Sequence, residues 1–201
     1  MVRSAAQKDS EMTPLFTIIT PSLQRESLVE CCESVNSQTN TSWQHIVQCD
    51  CLELNGSLIE RIEHPQREIY CCGVHHKNYG NTCRYLAWEK AISPWIIMLD
   101  DDNTLAHDRV LAQLSKVLTD DIQWAIFPIL RFGHVFFNDP PGLCMTDTLN
   151  VVARREIARW PNIPDYTADG HWVEGLKAKY PYAAFPNFLP IGIMEKSNEG
   201  K

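Results

Sequence analysis

The sequence of 201 residues predicts an α/β fold with a Rossmann-like, mainly parallel central sheet flanked by helices. Apolar, strand-like runs alternate with helical repeats through the first half of the chain, an order typical of parallel strands joined by right-handed crossovers. Polar residues follow three of the four runs, and ligands bind at that edge of such sheets. The length and the 44% hydrophobic content suit one domain with a substantial core.

The first half contains four strands and three intervening helices, assigned from apolar runs and from helical spacing of apolar residues. The predicted strands are residues 15–19, 43–48, 68–72 and 95–99. The predicted helices are residues 22–38, 55–64 and 79–91. Ser22 is expected to be the N-cap of the first helix, because it follows the strand directly and serine is a favoured cap.

The second half has a less regular pattern, and prolines interrupt it repeatedly. Helical spacing predicts helices at residues 110–118, 156–160 and 169–179. Apolar runs predict strands at residues 124–130, 132–137 and 149–153. The polar ends of the chain are expected to be a flexible leader at residues 1–13 and a tail at residues 191–201.

Composition and charge exclude several classes of protein. The net charge is −7, which disfavours binding to a nucleic-acid phosphate backbone. No segment approaches the roughly 20 apolar residues that cross a bilayer, and the first residues lack the apolar core of a signal peptide. We therefore expect no nucleic-acid partner, no transmembrane segment and a cytoplasmic location.

The sequence has eight cysteines, none of them in the C-x-x-C spacing of common structural zinc sites. They are Cys31, Cys32, Cys49, Cys51, Cys71, Cys72, Cys83 and Cys144. A chain of this length without a signal peptide does not require disulfides. We interpret them as reduced, mostly buried thiols, and disfavour a redox or zinc protein for want of ligand spacing.

An acidic run, Asp100-Asp101-Asp102, follows the most apolar predicted strand. Three adjacent carboxylates repel one another, and a hard divalent cation with oxygen ligands would relieve the repulsion. In an extended stretch, residues 100 and 102 point to one side and residue 101 to the other. The alternative is an acidic turn in which Asp102 or Asn103 caps the next helix.

Six segments resemble, in the same order, the GT-A fold glycosyltransferases, in particular the large inverting family two. They are FTIITPSLQR, WQHIVQCD, GNTCRYLAWEKA, the D-x-D-like WIIMLDDDN, LNVVARREI and TADGHWVEGL. The resemblance covers residues 14–180 and implies a single nucleotide-diphospho-sugar transferase domain over residues 14–190. Residues 14–103 would form its nucleotide-binding half and residues 104–190 its acceptor-side half.

The resemblance also implies a nucleotide-sugar site. The residues that match its motifs are Thr20, Pro21, Ser22, Asp50, Arg84, Asp100 and Asp101. Asp50 would bind the base edge, although the segment QCDC departs from the usual acid followed by small polar residues. Arg84 would lie near the base or the diphosphate, and Asp100 would contact the ribose or the sugar.

The remaining predicted site residues would contact the metal or the acceptor. The resemblance implies that Asp102 binds Mn²⁺ or Mg²⁺ and that Asp169 is the general base, although AD stands here where the family has ED. His171 and Trp172 are candidates for contacting the acceptor or the metal. Each has a structural alternative: a helix N-cap for Asp169, an exposed helix start for His171 and a core position for Trp172.

The implied activity is metal-dependent, inverting transfer of a sugar from a UDP- or GDP-type donor to a glycan or other hydroxyl acceptor. Two alternatives stay open. A nucleotidyltransferase would share the sheet and the acidic site, but usually has a glycine-rich loop after the first strand, where this chain has TPSLQR. A non-catalytic sugar- or nucleotide-binding module would not need Asp100, Asp102 and Asp169 together.

Overall fold

The computed structural model describes residues 13–143 and 145–194. Cys144, residues 1–12 of the predicted leader and residues 195–201 of the predicted tail lie outside this description. The strands are β1 (Phe16–Ser22), β2 (Trp43–Cys49), β3 (Arg67–Cys71), β4 (Trp95–Met98), β5 (Asn103–Leu105), β6 (Trp124–Ile126), β7 (Ile129–Arg131), β8 (His134–Phe136), β9 (Val151–Arg154), β10 (Tyr182–Ala184) and β11 (Gly192–Met194). The helices are α1 (Ser27–Asn36), α2 (Gly56–Ile62), α3 (Asn81–Lys90), α4 (Val110–Val117) and α5 (Ala168–Lys177), with a 3₁₀ turn at Thr148–Asn150.

The central sheet has seven strands in the order β10-β6-β9-β4-β1-β2-β3. β1 pairs in parallel with β2 and β4, β2 with β3, and β6 with β10. Only β9 runs against its neighbours, β4 and β6. The predicted α/β class with a mainly parallel sheet is therefore confirmed.

Helices cover both faces of this sheet, because successive strand residues point to opposite sides. In β1, Ile18 packs in the core under α1 and α4, whereas Ile19 packs in the core under α3 and α5. In β4, Ile97 and Ile96 divide between the same two cores. No helix in the described ranges is long and apolar enough to cross a membrane.

A second, four-stranded sheet has the order β5-β11-β7-β8. β5 was not predicted from the sequence, and β11 lies within the predicted tail. Gly192–Met194 instead pair antiparallel with β5 and parallel with β7. The predicted boundary at residue 191 is therefore too early, and the reason is that three residues are too few to show a strand pattern.

Two local predictions differ from the structure. Ser22 is the last residue of β1 and does not cap α1, because α1 begins only at Ser27; the Ser22 hydroxyl donates to Asp101, and its oxygen accepts from the Gln24 N–H. The helix predicted at residues 156–160 is a single turn, in which the Ala158 N–H donates to the Arg154 carbonyl. Pro161 stops it, since proline has no N–H to continue a helix.

Candidate functional site

Two adjoining cavities, each of about 450 Å³, open where β1, β2 and β4 end. They share a wall made of Tyr79, Arg84, Asp100 and Asp102. The other residues that line the first cavity are Pro21, Ser22, Leu23, Arg25, Asp50, His75, Lys77, Gly80 and Asp101. The second is lined further by Asn81, Asn103, Arg131, Phe136, Thr146, Asp147, Thr148, Trp160, Tyr166, Thr167, Asp169 and Met194.

The acidic run after β4 divides between two tasks. Asp101 is 4% exposed and accepts hydrogen bonds from the Ser22 hydroxyl (2.8 Å) and the Leu23 N–H (3.0 Å). Burial raises the pKa of Asp101, and the charge of Arg25 opposes that shift. Asp100 and Asp102 are more exposed and line both cavities. Asp101 therefore secures the connection after β1, while its neighbours are available to a ligand.

Two arginines compensate the charge of these neighbours. Arg84 of α3 forms an ion pair with Asp100, donates to the Tyr79 carbonyl (2.8 Å) and lies over the Trp160 ring, 5.1 Å from its centroid. Arg25 pairs with Asp102 at 2.9 Å. A carboxylate has about four lone-pair sites, so each acid keeps capacity for a further partner.

Asp50 follows β2 and is 3% exposed. One carboxylate oxygen accepts from the His76 N–H (2.7 Å) and the other from the Lys77 N–H (3.1 Å). The loop between β3 and α3 is thereby folded back over the end of β2. This contact places Asp50, His75 and Lys77 along one side of the first cavity.

Gly80 joins that loop to α3 in a conformation that other residues rarely adopt. Its φ is +75°, and a Cβ there would lie 2.8 Å from Pro21 Cβ. Lys77 and Tyr79, just before it, also have positive φ, 54° and 59°. Such strain requires support from the surrounding structure, and it often occurs where backbone must approach a ligand.

Asp169 lies in the first turn of α5 and lines the second cavity. One carboxylate oxygen accepts from the Gly170 N–H (2.7 Å). Burial raises the pKa of Asp169 above its ordinary value, and nearby Asp100 adds to the shift. Gly170 is packed so closely that a Cβ would lie 2.9 Å from Leu143 Cα. The position of Asp169 at the cavity is therefore tightly defined.

Asp147 is a second acid of this cavity that was not predicted from the sequence. Burial, and then Asp100 and Asp169, raise its pKa to about 6. The Asp147 carboxylate accepts from the Leu149 N–H (2.9 Å), and the Asp147 backbone N–H donates to the side-chain oxygen of Asn150. This D-x-x-N pattern before a strand is a capping box, a signal that was present in the sequence.

Three predicted site residues do not line either cavity. Thr20 is fully buried, and its hydroxyl hydrogen-bonds His45 Nε2 at 2.9 Å, because the strand pleat turns it away from the sheet edge. His171 is exposed beside Asp165, since two residues along a helix is a rotation of about 200° from Asp169. Trp172 is 3% exposed and packs against Trp160, which takes the place at the cavity wall.

Solved structures with this arrangement of strands and helices are numerous enough to define the fold. S. aureus TarS superposes with a TM-score of 0.72 over 92% of this chain at 11% identity, and its residues 1–349 in complex with UDP-GlcNAc superpose at 0.73 over 93% at 12%. The mannosyltransferase PcManGT from Pyrobaculum calidifontis, in complex with GDP-Man and Mn²⁺, gives 0.68 over 94% at 14%. The chain has the GT-A fold.

The GT-A chain described here covers 37% of the TarS chain, 60% of the TarS 1–349 chain and 59% of the PcManGT chain. No family model matches its sequence, and no curated protein does. Identities of this size establish the fold alone.

The acids at the shared wall suit a hard divalent cation of the Mn²⁺ or Mg²⁺ kind. Such ions take oxygen ligands, and Mg²⁺ usually binds through one or two carboxylates together with substrate phosphates. Asp100 and Asp102 offer two carboxylates that border the cavity containing Arg25, Lys77 and Arg84. The donor set therefore fits a cation that is shared with a bound diphosphate.

Proposed function

We propose that this chain is a glycosyltransferase that moves a sugar from a UDP- or GDP-type donor to a hydroxyl acceptor, with inversion at the anomeric carbon. The observation that carries the proposal is the shared wall between the two cavities. It joins a cavity with three basic side chains to one with two acids of raised pKa. TarS with UDP-GlcNAc and PcManGT with GDP-Man and Mn²⁺ support the choice of donor class.

The first cavity is the proposed donor site. Arg25, Lys77 and Arg84 supply positive charge for a diphosphate, which charge-assisted hydrogen bonds would hold. Asp50 is positioned to accept a hydrogen bond from the N–H edge of a base, in addition to the two backbone donors it already has. The residues that line this cavity lie between positions 21 and 102, within the proposed nucleotide-binding half at residues 14–103.

Asp102, with Asp100, is proposed to hold Mn²⁺ or Mg²⁺. When bound, the ion would neutralise negative charge that develops on the departing diphosphate. Arg84 supports the same end of the donor from the protein side, because its guanidinium is fixed by Asp100, the Tyr79 carbonyl and the Trp160 ring. The leaving group is thus held by groups that need little rearrangement during the reaction.

The second cavity is the proposed acceptor site, and Asp169 the general base. The carboxylate of Asp169 accepts from the Gly170 N–H and from its own backbone N–H, and a carboxylate has about four lone-pair sites, so it keeps capacity for a further partner. It can therefore take the proton of an acceptor hydroxyl as that hydroxyl attacks the sugar. A raised pKa improves proton uptake near neutral pH. One displacement from the face opposite the leaving diphosphate inverts the anomeric centre.

We further propose that the protein works in the cytoplasm. All seven described cysteines are free thiols, five of them buried. Disulfides are rare in that compartment, so their absence between residues 13–143 and 145–194 supports the assignment. A membrane-associated or nucleic-acid partner is not proposed.

The test is a thermal-shift titration with UDP and GDP, with and without Mn²⁺, followed by a transfer assay with nucleotide-sugars. We expect the diphosphate to raise the melting temperature with Mn²⁺ and much less in chelator. Asp102→Asn should lose the metal-dependent part, whereas Asp108→Asn, at an exposed acid away from both cavities, should keep it.

Equal stabilisation by the diphosphate in chelator would refute the metal assignment. Metal-linked binding without turnover of any nucleotide-sugar would indicate the non-catalytic binding module instead. Formation of a nucleotide-sugar from a nucleoside triphosphate and a sugar phosphate would indicate a nucleotidyltransferase.

A further inference from the structure

A group of cysteines lies beside the proposed base-binding end of the first cavity, and the proposed function does not use it. The ends of β2 and β3 and the first turn of α3 bring them together. Cys51 Sγ lies 3.2 Å from Cys71 Sγ, and Cys72 Sγ lies 3.6 Å from Cys83 Sγ. Thiols this close together, next to a histidine and a carboxylate, form a set of metal-binding atoms.

Three of these side chains come from separate points of the chain and meet at one place. One ligand atom each from Asp50, Cys72 and His76 lies within 4.8 Å of the others. Cys83 adds a fourth candidate atom through its 3.6 Å contact with Cys72. In a tetrahedral zinc site with Zn–S bonds of about 2.3 Å, two sulfurs lie about 3.8 Å apart. The Cys72–Cys83 pair already has nearly that separation.

The local fold explains the convergence. Cys72 follows the last residue of β3, so its side chain leaves the strand on the side opposite Cys71. The loop then returns over the end of β2, where the His76 N–H donates to Asp50. The His76 side chain is exposed, so its ring can turn toward Cys72 with little steric cost. The backbone contact therefore brings the ligands close before any ion binds.

We propose that Asp50, Cys72, His76 and Cys83 form a Zn²⁺ site that fastens the loop between β3 and α3. Two sulfurs, one nitrogen and one oxygen match the ligand preferences of zinc, whereas Mn²⁺ and Mg²⁺ prefer oxygen ligands alone. The two thiols release their protons to solvent as the ion binds. This site is separate from the carboxylates of Asp100 and Asp102.

One consequence rests on the proposed function. Asp50 belongs both to this site and to the proposed donor cavity. An ion that takes a carboxylate oxygen of Asp50 removes an acceptor from the base-binding end. Zinc and the nucleoside diphosphate are therefore expected to compete, and zinc would act as an inhibitor of donor binding.

The test is a titration of the reduced full chain with Co²⁺, a spectroscopic substitute for zinc. We expect one equivalent to give a thiolate-to-cobalt charge-transfer band and tetrahedral d–d bands, both lost on addition of Zn²⁺. Cobalt on carboxylates alone gives no thiolate band, so binding near Asp102 does not interfere. The experiment needs no donor or acceptor, so its result is independent of the proposed function.

Matched variants identify the ligands. Cys72→Ser should remove about half of the intensity of the thiolate band, because Cys83 remains, and Cys72→Ser with Cys83→Ser should abolish it. His76→Gln, at an exposed position where folding is not at risk, should weaken Co²⁺ binding by about tenfold or more. Cys51→Ser and His75→Gln change neighbouring residues of the same type and should keep both the band and the affinity. An absent thiolate band, or equal affinity in wild type and His76→Gln, would overturn the proposal.

Competition is measured separately, as the UDP- or GDP-induced thermal shift with and without Zn²⁺. We expect zinc to reduce the shift in wild type and to have a smaller effect in His76→Gln. If zinc forms the site but leaves the nucleotide shift unchanged, the competition is refuted while the site stands.

Discussion

The two cavities contain the same type of acid in different settings. In the first, Asp50 accepts from two backbone N–H groups, and Asp102 is paired with Arg25. In the second, Asp147 and Asp169 lie near each other and near Asp100, and both have a raised pKa. Asp50 and Asp102 are thus held by N–H donors and a cation, whereas burial beside other acids raises the pKa of Asp147 and Asp169, which favours proton exchange. The surroundings, rather than the residue type, therefore separate proposed binding from proposed proton transfer.

The largest expected effect, a loss of sugar transfer, comes from removing the proposed base of the second cavity. Asp169→Asn keeps the size of the side chain but cannot take a proton, so transfer should fall by about 10²–10⁴-fold. Donor binding should stay near the wild-type value, because Asp169 does not line the first cavity. Single-turnover transfer and nucleotide-induced thermal shifts measure the two effects.

Asp165→Asn is the matched control for that experiment. Asp165 lies four residues earlier, is exposed and lines neither cavity. Its replacement should leave transfer close to wild type. Loss of a general base lowers the rate by at least about 100-fold. If Asp169→Asn keeps more than about a tenth of the activity, the base is therefore another residue, and Asp147 is the first candidate.

A second prediction concerns stability and pH. The pKa of Asp147 is about 6 in the folded chain, above its value of about 3.9 in an unfolded one. The folded state therefore holds this proton more tightly, and stability falls as pH rises from about 4 to about 6. Asp147→Asn has no such proton, so wild type should lose about 2–3 kcal/mol relative to the variant across that range.

Urea unfolding of both proteins at several pH values measures this difference. Asp165→Asn serves as a control of opposite sign, because hydrogen bonds from Thr167 lower the pKa of Asp165. Relative to that variant, wild type should gain stability as pH rises through the acidic range. A difference between wild type and Asp147→Asn that does not change with pH would contradict the assigned pKa.

The smallest expected effect is on stability, and it tests the contact between Gly80 and Pro21 at the wall of the first cavity. Gly73 and Gly80 have similar positive φ, 72° and 75°, but only a Cβ at Gly80 meets a neighbour, Pro21. Alanine at either position costs roughly 1–2 kcal/mol for the left-handed backbone. Gly80→Ala should cost about 1 kcal/mol more, for the displaced neighbour, and should also weaken UDP or GDP binding. Equal losses in the two variants would show that the contact with Pro21 is unimportant.

The regular part of the fold was predictable because its signals are local. Residues 95–98 are a continuous apolar run, and α3 has a helical repeat, so the sequence placed both within two residues of the observed ends. β5 and β11 were not predictable, because each has three residues and is defined by a partner distant in sequence. The single turn after β9 was predicted as a helix because apolar spacing does not show that the residue before a proline is disfavoured in the helical conformation.

The strand pattern places the acids at the strand ends, the family resemblance adds the candidates on helices, and long-range pairing decides the rest. Asp50, Asp100 and Asp102 follow strands that end at one edge, so parallel pairing alone brings them together. Asp147 reaches the same place only because β9 pairs with β4, a contact between residues more than 50 positions apart. Thr20 matched a family motif, yet the pleat of β1 directs it into the core toward His45.

The order of strands has a consequence for how the chain acquires this structure. β1 to β4 come from residues 16–98 and pair through crossovers that are short in sequence, so they can assemble early. β4 gains its second neighbour only when residues 151–154 arrive as β9. During synthesis, one edge of β4 therefore stays open for more than 50 residues of further growth. Long-range pairing of this kind slows folding, and an open apolar edge invites pairing with another chain.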